Sequence, residues 1–163
     1  MSYKTEQEEF WAGKFGTDYI NRNNSEYLLN SKISIWSRML RSTNNIKYIR
    51  EFGCNIGLNL IALKKLNPKF QLSGYEINEE AIKQANKYNI GKIKQCSILE
   101  KIDDEPADLV FTVGVLIHIN PDYLKNVYDN FITCSKRYIL IAEYYSPQPS
   151  KIVYRGNKNK FFR

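Results

Sequence analysis

Apolar residues in the first part of the chain recur at helical spacing. From Ser25 onward, Leu28, Leu29, Ile33, Trp36, Met39 and Leu40 share one helical face, and Ser25 is a suitable N-cap. Upstream, Thr5 followed by Glu8 spells a capping box that opens a short helix through Trp11. The stretch from Phe15 to Asn24 carries Gly16, Asp18 and three asparagines and is predicted to be irregular. After Lys47 the pattern changes. Tyr48–Phe52 reads as a strand, Gly53–Gly57 as a turn, and Leu58–Leu66 as a helix stopped by Asn67-Pro68. Phe70–Ile77 is a second strand, and Asn78 caps a helix with Glu79 and Glu80 in its first turn. Lys92–Ile98 is a third strand. Ala107–Val113 is a fourth and the most apolar, as expected at a sheet centre. Asn120-Pro121 opens a helix through Cys134, and Arg137–Ala142 is a fifth strand that Pro147 and Pro149 forbid from continuing.

Strands alternating with helices imply right-handed crossovers and a parallel sheet covered on both faces, an α/β Rossmann-like architecture. The chain divides into a helical cap (1–46), an α/β core (47–145) and a basic tail (146–163), together one domain.

Composition narrows the classes. With 163 residues, 43% hydrophobic and 25% charged, the chain is an ordinary globular domain, and no apolar run approaches a membrane span. Cys54, Cys96 and Cys134 form no paired motif, so reduced thiols and a cytoplasmic setting are expected. One histidine and scattered cysteines make a transition-metal site improbable. The net charge of +7 is not spread over a face. Lys151, Arg155, Lys158, Lys160 and Arg163 carry five of it, so the body is nearly neutral and a nucleic-acid partner is not expected.

The segment Glu51-Phe52-Gly53-Cys54-Asn55-Ile56-Gly57 follows the first strand and opens the first helix. In that context glycines let the backbone turn sharply and approach a ligand, next to the free N–H groups of a helix start. Asn55 stands where a glycine is usual, and asparagine tolerates the left-handed conformation. Glu76, at the end of the second strand, is placed to accept hydrogen bonds from two ribose hydroxyls. A dinucleotide loop needs a third glycine where Leu58 stands, and a pyrophosphate has no use for the Glu51 charge. A sulfonium cofactor with an α-amino group does have such a use. S-adenosylmethionine is therefore favoured over NAD.

On these residues, and on Gly74-Tyr75-Glu76-Ile77, Gln95-Cys96-Ser97-Ile98 and Ala107 to Ile119, the chain resembles the class I S-adenosylmethionine-dependent methyltransferases over residues 47 to about 145. Glu9 to Asn23, and Tyr144-Tyr145-Ser146-Pro147 followed by Tyr154-Arg155-Gly156, are similar to the methylases associated with pseudaminic acid biosynthesis. The resemblance implies that Glu51, Gly53, Asn55 and Gly57 wrap the methionine end of the cofactor. Glu76 and Ile77 would then hold the ribose region, Ser97 and Ile98 flank the adenine, and Val113 and Gly114 line the inner face. Position 97 departs from the family, which often carries an acid there. The family's sheet ends with two further strands as an antiparallel edge, which are expected to be missing here.

His118, the lone histidine, follows the fourth strand, where a neutral imidazole can accept a proton from an acceptor hydroxyl or amine, or simply bond a loop carbonyl. Tyr19 and Arg22 are expected to fold over the cofactor carboxylate, and Tyr144, Tyr145 and Arg155 to meet the substrate. Cys54 reads as a small apolar filler, and Trp11 and Trp36 as core contacts. The expected activity is methylation of a small anionic acceptor such as a sugar or nucleotide-sugar of surface-glycan synthesis. The rivals are a non-catalytic cofactor-binding domain and a nucleic-acid methyltransferase.

Overall fold

The computed structural model describes residues 3–22, 26–145, 150–154 and 157–162. Its centre is a five-stranded parallel sheet: β1 (Tyr48–Phe52), β2 (Gln71–Glu76), β3 (Lys92–Gln95), β4 (Ala107–Val113) and β5 (Ser135–Ala142), in the spatial order β3-β2-β1-β4-β5. The order reverses between β1 and β4, and the crevice above such a switch point is where open α/β sheets bind ligands.

Helices α3 (Glu26–Met39) and α4 (Leu58–Leu66) cover one face, where Trp36, Leu60 and Leu63 pack on Ile49, Leu109 and Phe111. Helix α6 (Leu124–Thr133) covers the other, setting Val127 and Phe131 against Phe52 and Val110. Between β3 and β4 the chain forms no helix. There α6 supplies the buried Asn130, whose Nδ2 donates to the carbonyls of Ile98 and Glu100 and whose Oδ1 accepts from the Ile102 amide. One side chain thus satisfies three backbone groups and holds Ile98, Leu99 and Ile102 in the core.

Helix α5 (Glu79–Lys87) starts at Asn78, whose Oδ1 accepts from the Ala81 amide at 3.0 Å, as the sequence predicts. Asn120 Oδ1 likewise accepts from the Asp122 amide, but the first turn, Pro121–Tyr123, is a 3-10 turn before α6.

The cap departs from expectation. Helix α1 (Glu6–Ala12) has Thr5 as its N-cap, but the Glu8 carboxylate takes the amide of Lys4 rather than closing the box on Thr5. Lys14–Ile20, predicted irregular, is a second helix, α2. Its glycine and polar residues are poor helix formers, and tertiary contacts hold it: Phe15 stacks on Phe10 at 4.1 Å, and Tyr19 meets Trp11 edge-on at 5.3 Å. The Ser25 cap lies outside the described residues.

The basic tail carries an antiparallel pair, β6 (Ser150–Tyr154) and β7 (Asn157–Phe162), separate from the five-stranded sheet, and β7 runs beside the 3-10 turn Leu116–His118. No sixth or seventh strand joins the main sheet among the described residues. β5 therefore forms its edge, with Ile139 and Ile141 half exposed.

Candidate functional site

The loop after β1 is fixed by its own backbone and by β2. The amides of Gly53 and Cys54 both donate to the carbonyl of Tyr75, and Gly57 N–H returns to the carbonyl of Cys54. Asn55 adopts the left-handed conformation at φ 48°, as its residue type predicts, and its Oδ1 accepts from the next amide, Ile56. Glu76 locks the loop to β2. One carboxylate oxygen accepts from the amide of Asn55 at 2.7 Å, the other from the amides of Ile77 and Asn78. Burial pushes the Glu76 carboxyl up, and these three amides oppose the rise. Glu76 is therefore a buried organiser of the loop rather than a solvated acid, and its remaining acceptor capacity faces the cleft.

That cleft lies over the C-terminal ends of β1, β2, β3 and β4 and holds a cavity of about 170 Å3. Gly53, Asn55, Glu76, Ile77, Ile98, Val113 and Gly114, all expected at a cofactor site, line it together. Gly114 is left-handed, and a Cβ there would project into empty space. Gly114→Ala is expected to cost about 1 kcal/mol of stability through its backbone conformation. Its larger effect should be on ligand affinity, read by calorimetry beside a thermal melt.

The cap roofs the cleft. Asn78 Nδ2 lies 3.1 Å from the carbonyls of Trp11 and Ala12, 3.3 Å from that of Gly13 and 3.2 Å from Thr17 Oγ1, so one amide group fastens α1 and α2 to the end of β2. Trp11, expected in the core with Trp36, instead lines the cleft. Its ring centroid lies 4.6 Å from that of His118. Burial lowers the His118 pKa to about 4, so the imidazole is neutral across the physiological range.

A second, smaller cavity adjoins the loop and shares Tyr19, Gly53, Asn55 and Val113 with the cleft. It contains Glu51, 1% exposed, whose Oε1 accepts from Asn59 Nδ2 at 2.5 Å. The other oxygen, Oε2, is buried and has no hydrogen-bond partner among the described residues. Asn59 Oδ1 receives Lys32 Nζ at 2.9 Å and Trp36 Nε1 at 3.3 Å. Burial pushes the Glu51 carboxyl up to about 8, opposed by the Asn59 hydrogen bond and the Lys32 charge, and burial lowers Lys32. A buried acid with a vacant oxygen beside a half-buried amine matches the ammonium and carboxylate of a free α-amino-acid group. The residues present thus fit the methionine end of S-adenosylmethionine.

Lys32 escaped the sequence reading. Its signal was a lysine four residues from both Leu28 and Trp36, on the inward face of α3.

Other expected residues lie elsewhere. Gly57 faces Ile90 and Ala85 behind the loop, where it serves packing rather than the ligand. Ser97 does not line the cleft; its hydroxyl donates to Glu8, and it is Glu8 that lines the wall. Arg22 is exposed, 5.9 Å from the Phe15 ring centroid. Tyr144 and Tyr145 follow the end of β5 and are 80% and 90% exposed. Arg155 lies outside the described residues. Cys54 is buried, and burial pushes its thiol up, as suits an inert filler. No helix among the described residues is long and apolar enough to cross a membrane.

A family model described as a methyltransferase domain matches residues 51–136. No curated protein sequence matches the chain significantly. Among solved structures, the PH0226 protein from Pyrococcus horikoshii OT3 superposes with a TM-score of 0.60 at 18% identity, covering 69% of this chain and 55% of that one. The plantazolicin methyltransferase BpumL, solved with S-adenosylhomocysteine (SAH), gives 0.57 at 22% identity over 76% and 52%. The sugar N-methyltransferase KedS8 from a Streptoalloteichus species gives 0.67 at 13% identity over 96% and 65%. At these identities the likeness is one of fold, and the chain spans about half to two thirds of the length of these proteins.

Proposed function

Because the chain belongs to the methyltransferase-domain family, we propose that it binds S-adenosylmethionine in the cleft and transfers the methyl group to a small-molecule acceptor. The observation that carries this reading is the Oε2 of buried Glu51, unpartnered among the described residues, beside Lys32, a pair suited to an α-amino-acid group. When bound, the cofactor supplies an electrophilic methyl on a sulfonium sulfur. Glu51 would accept from its ammonium and Lys32 would hold its carboxylate. Glu76 offers the ribose the acceptor capacity its three amides leave free, and the open space at Gly114 admits the inner face. Much of the catalysis in an in-line displacement comes from alignment. Trp11, Tyr19 and His118 wall the acceptor side, and a neutral ring nitrogen of His118 takes the acceptor's proton.

His118→Asn is expected to lower turnover at least about tenfold while leaving SAH affinity unchanged. Wild-type turnover should show no inflection from His118 between pH 6 and 9, because the group titrates at about 4. A variant with normal turnover would return His118 to a packing role.

For the acceptor, the likeness of the chain ends to the pseudaminic-acid-associated methylases supports a small anionic sugar or nucleotide-sugar of surface-glycan synthesis, held by Arg155. One observation favours a second reading. Among the described residues lining the cleft there is no lysine or arginine, whereas Glu8, Glu76 and the rings of Trp11 and Tyr19 are there. Such a wall suits an amine. Turnover on matched panels decides: an anionic acceptor requires Arg155→Ala to raise its KM, and an amine acceptor requires that substitution to be silent. Cofactor binding with no turnover on either panel would mark a non-catalytic binding domain. The free cysteines suit a reducing compartment, and the cytoplasm is the proposed setting.

A further inference from the structure

We propose that Glu8 of α1 reads the exocyclic amino group of the cofactor's adenine, so that the N-terminal cap is part of the cofactor site and sets its base specificity. This rests on the cofactor reading above and extends it to a residue 89 positions before Ser97. With the amino-acid end at Glu51 and Lys32 and the ribose at Glu76, the base runs toward the β3 end of the cleft. Ile77, Cys96, Ile98 and Leu99 form apolar walls there. Glu8 and Glu76 are the charged residues lining the cleft among the described ones, and Glu76 is engaged with the loop.

The Glu8 residue is 7% exposed, and each of its carboxylate oxygens receives one donor. Ser97 Oγ donates to Oε1 and the Lys4 amide to Oε2. A carboxylate accepts about four hydrogen bonds, so both oxygens of this cleft-lining residue keep acceptor capacity. Ser97 has spent its only proton on Glu8, and its Oγ accepts from the Leu99 amide at 3.1 Å, so its part is to position Glu8. A buried acceptor-only group favours a ring that presents an amine and repels one that presents a carbonyl oxygen.

The test is calorimetry on the full chain with SAH and its 6-oxo counterpart, S-inosylhomocysteine. Wild type is expected to prefer the adenine compound by about tenfold or more. Glu8→Gln keeps the shape and can turn its NH2 toward the keto oxygen, so the preference should fall to within about threefold. Ser97→Ala, which frees Glu8 to move, should lose part of the preference. A merely structural Glu8 would weaken both ligands alike, and an unchanged ratio in both variants overturns the inference. If neither compound binds wild type, the cofactor reading itself is wrong.

Discussion

Glu51→Gln is expected to stabilise the ligand-free protein at pH 8 and above while weakening SAH binding about 10- to 100-fold. The two effects share one cause. Burial raises the Glu51 carboxyl from its ordinary 4.5 to about 8, so between those values the folded state holds a proton that the unfolded chain releases. The contribution of that proton to stability is complete below about 4.5 and is lost as pH rises through 8. Glutamine has nothing to lose there, so the variant should gain about 1–3 kcal/mol over wild type at pH 8.5, and little at pH 5. Binding runs the other way. The ligand's ammonium needs the carboxylate, so wild-type affinity should climb by up to about tenfold per pH unit from 6 to 8 and then level, with a proton released on binding. The variant should bind weakly and without that climb, having lost a charge-assisted hydrogen bond. Thermal melts at three pH values and calorimetry over the same range check both halves. Unchanged affinity in the variant would remove Glu51 from the cofactor site.

Asn78→Asp should separate the cap from the core. Asp keeps the oxygen that caps α5, since aspartate is as good an N-cap as asparagine. It replaces the NH2 that faces the carbonyls of Trp11, Ala12 and Gly13 with a second acceptor at a buried position. Lone pairs then face lone pairs, at a cost of about 2–4 kcal/mol that falls on the cap's docking. Hydrogen exchange in α1 and α2 should rise sharply, exchange in β1 and β4 should change little, and SAH should bind at least about tenfold more weakly. Unaltered exchange in α1 and α2 would show that Asn78 does not fasten the cap.

β1, α4 and β4 were legible in the sequence to the residue, because their local pattern and their tertiary role agree: Leu58–Leu66 and Ala107–Val113 form the elements their apolar spacing predicts. The loop was legible too, since Gly53, Asn55 and Gly57 adopt the left-handed conformations that their residue types allow. What stayed hidden depends on partners far along the chain. α2 is held by Phe10, Trp11 and Asn78 rather than by its own propensity. Glu8 acquires meaning only against Ser97, and Lys32 only against Asn59 and Glu51. The tail reads as a run of charge, and nothing in its spacing marked the pair β6 and β7.

The cleft and the Glu51 cavity together are proposed to hold one S-adenosylmethionine-type ligand. Calorimetric titration of the wild-type chain with SAH, beside NAD, at pH 8 tests it most directly. One SAH should bind per chain with a Kd of about 10 μM or tighter, and NAD should give no heat of binding. Binding of NAD, or the absence of any SAH isotherm, would rule out an S-adenosylmethionine site in the cleft.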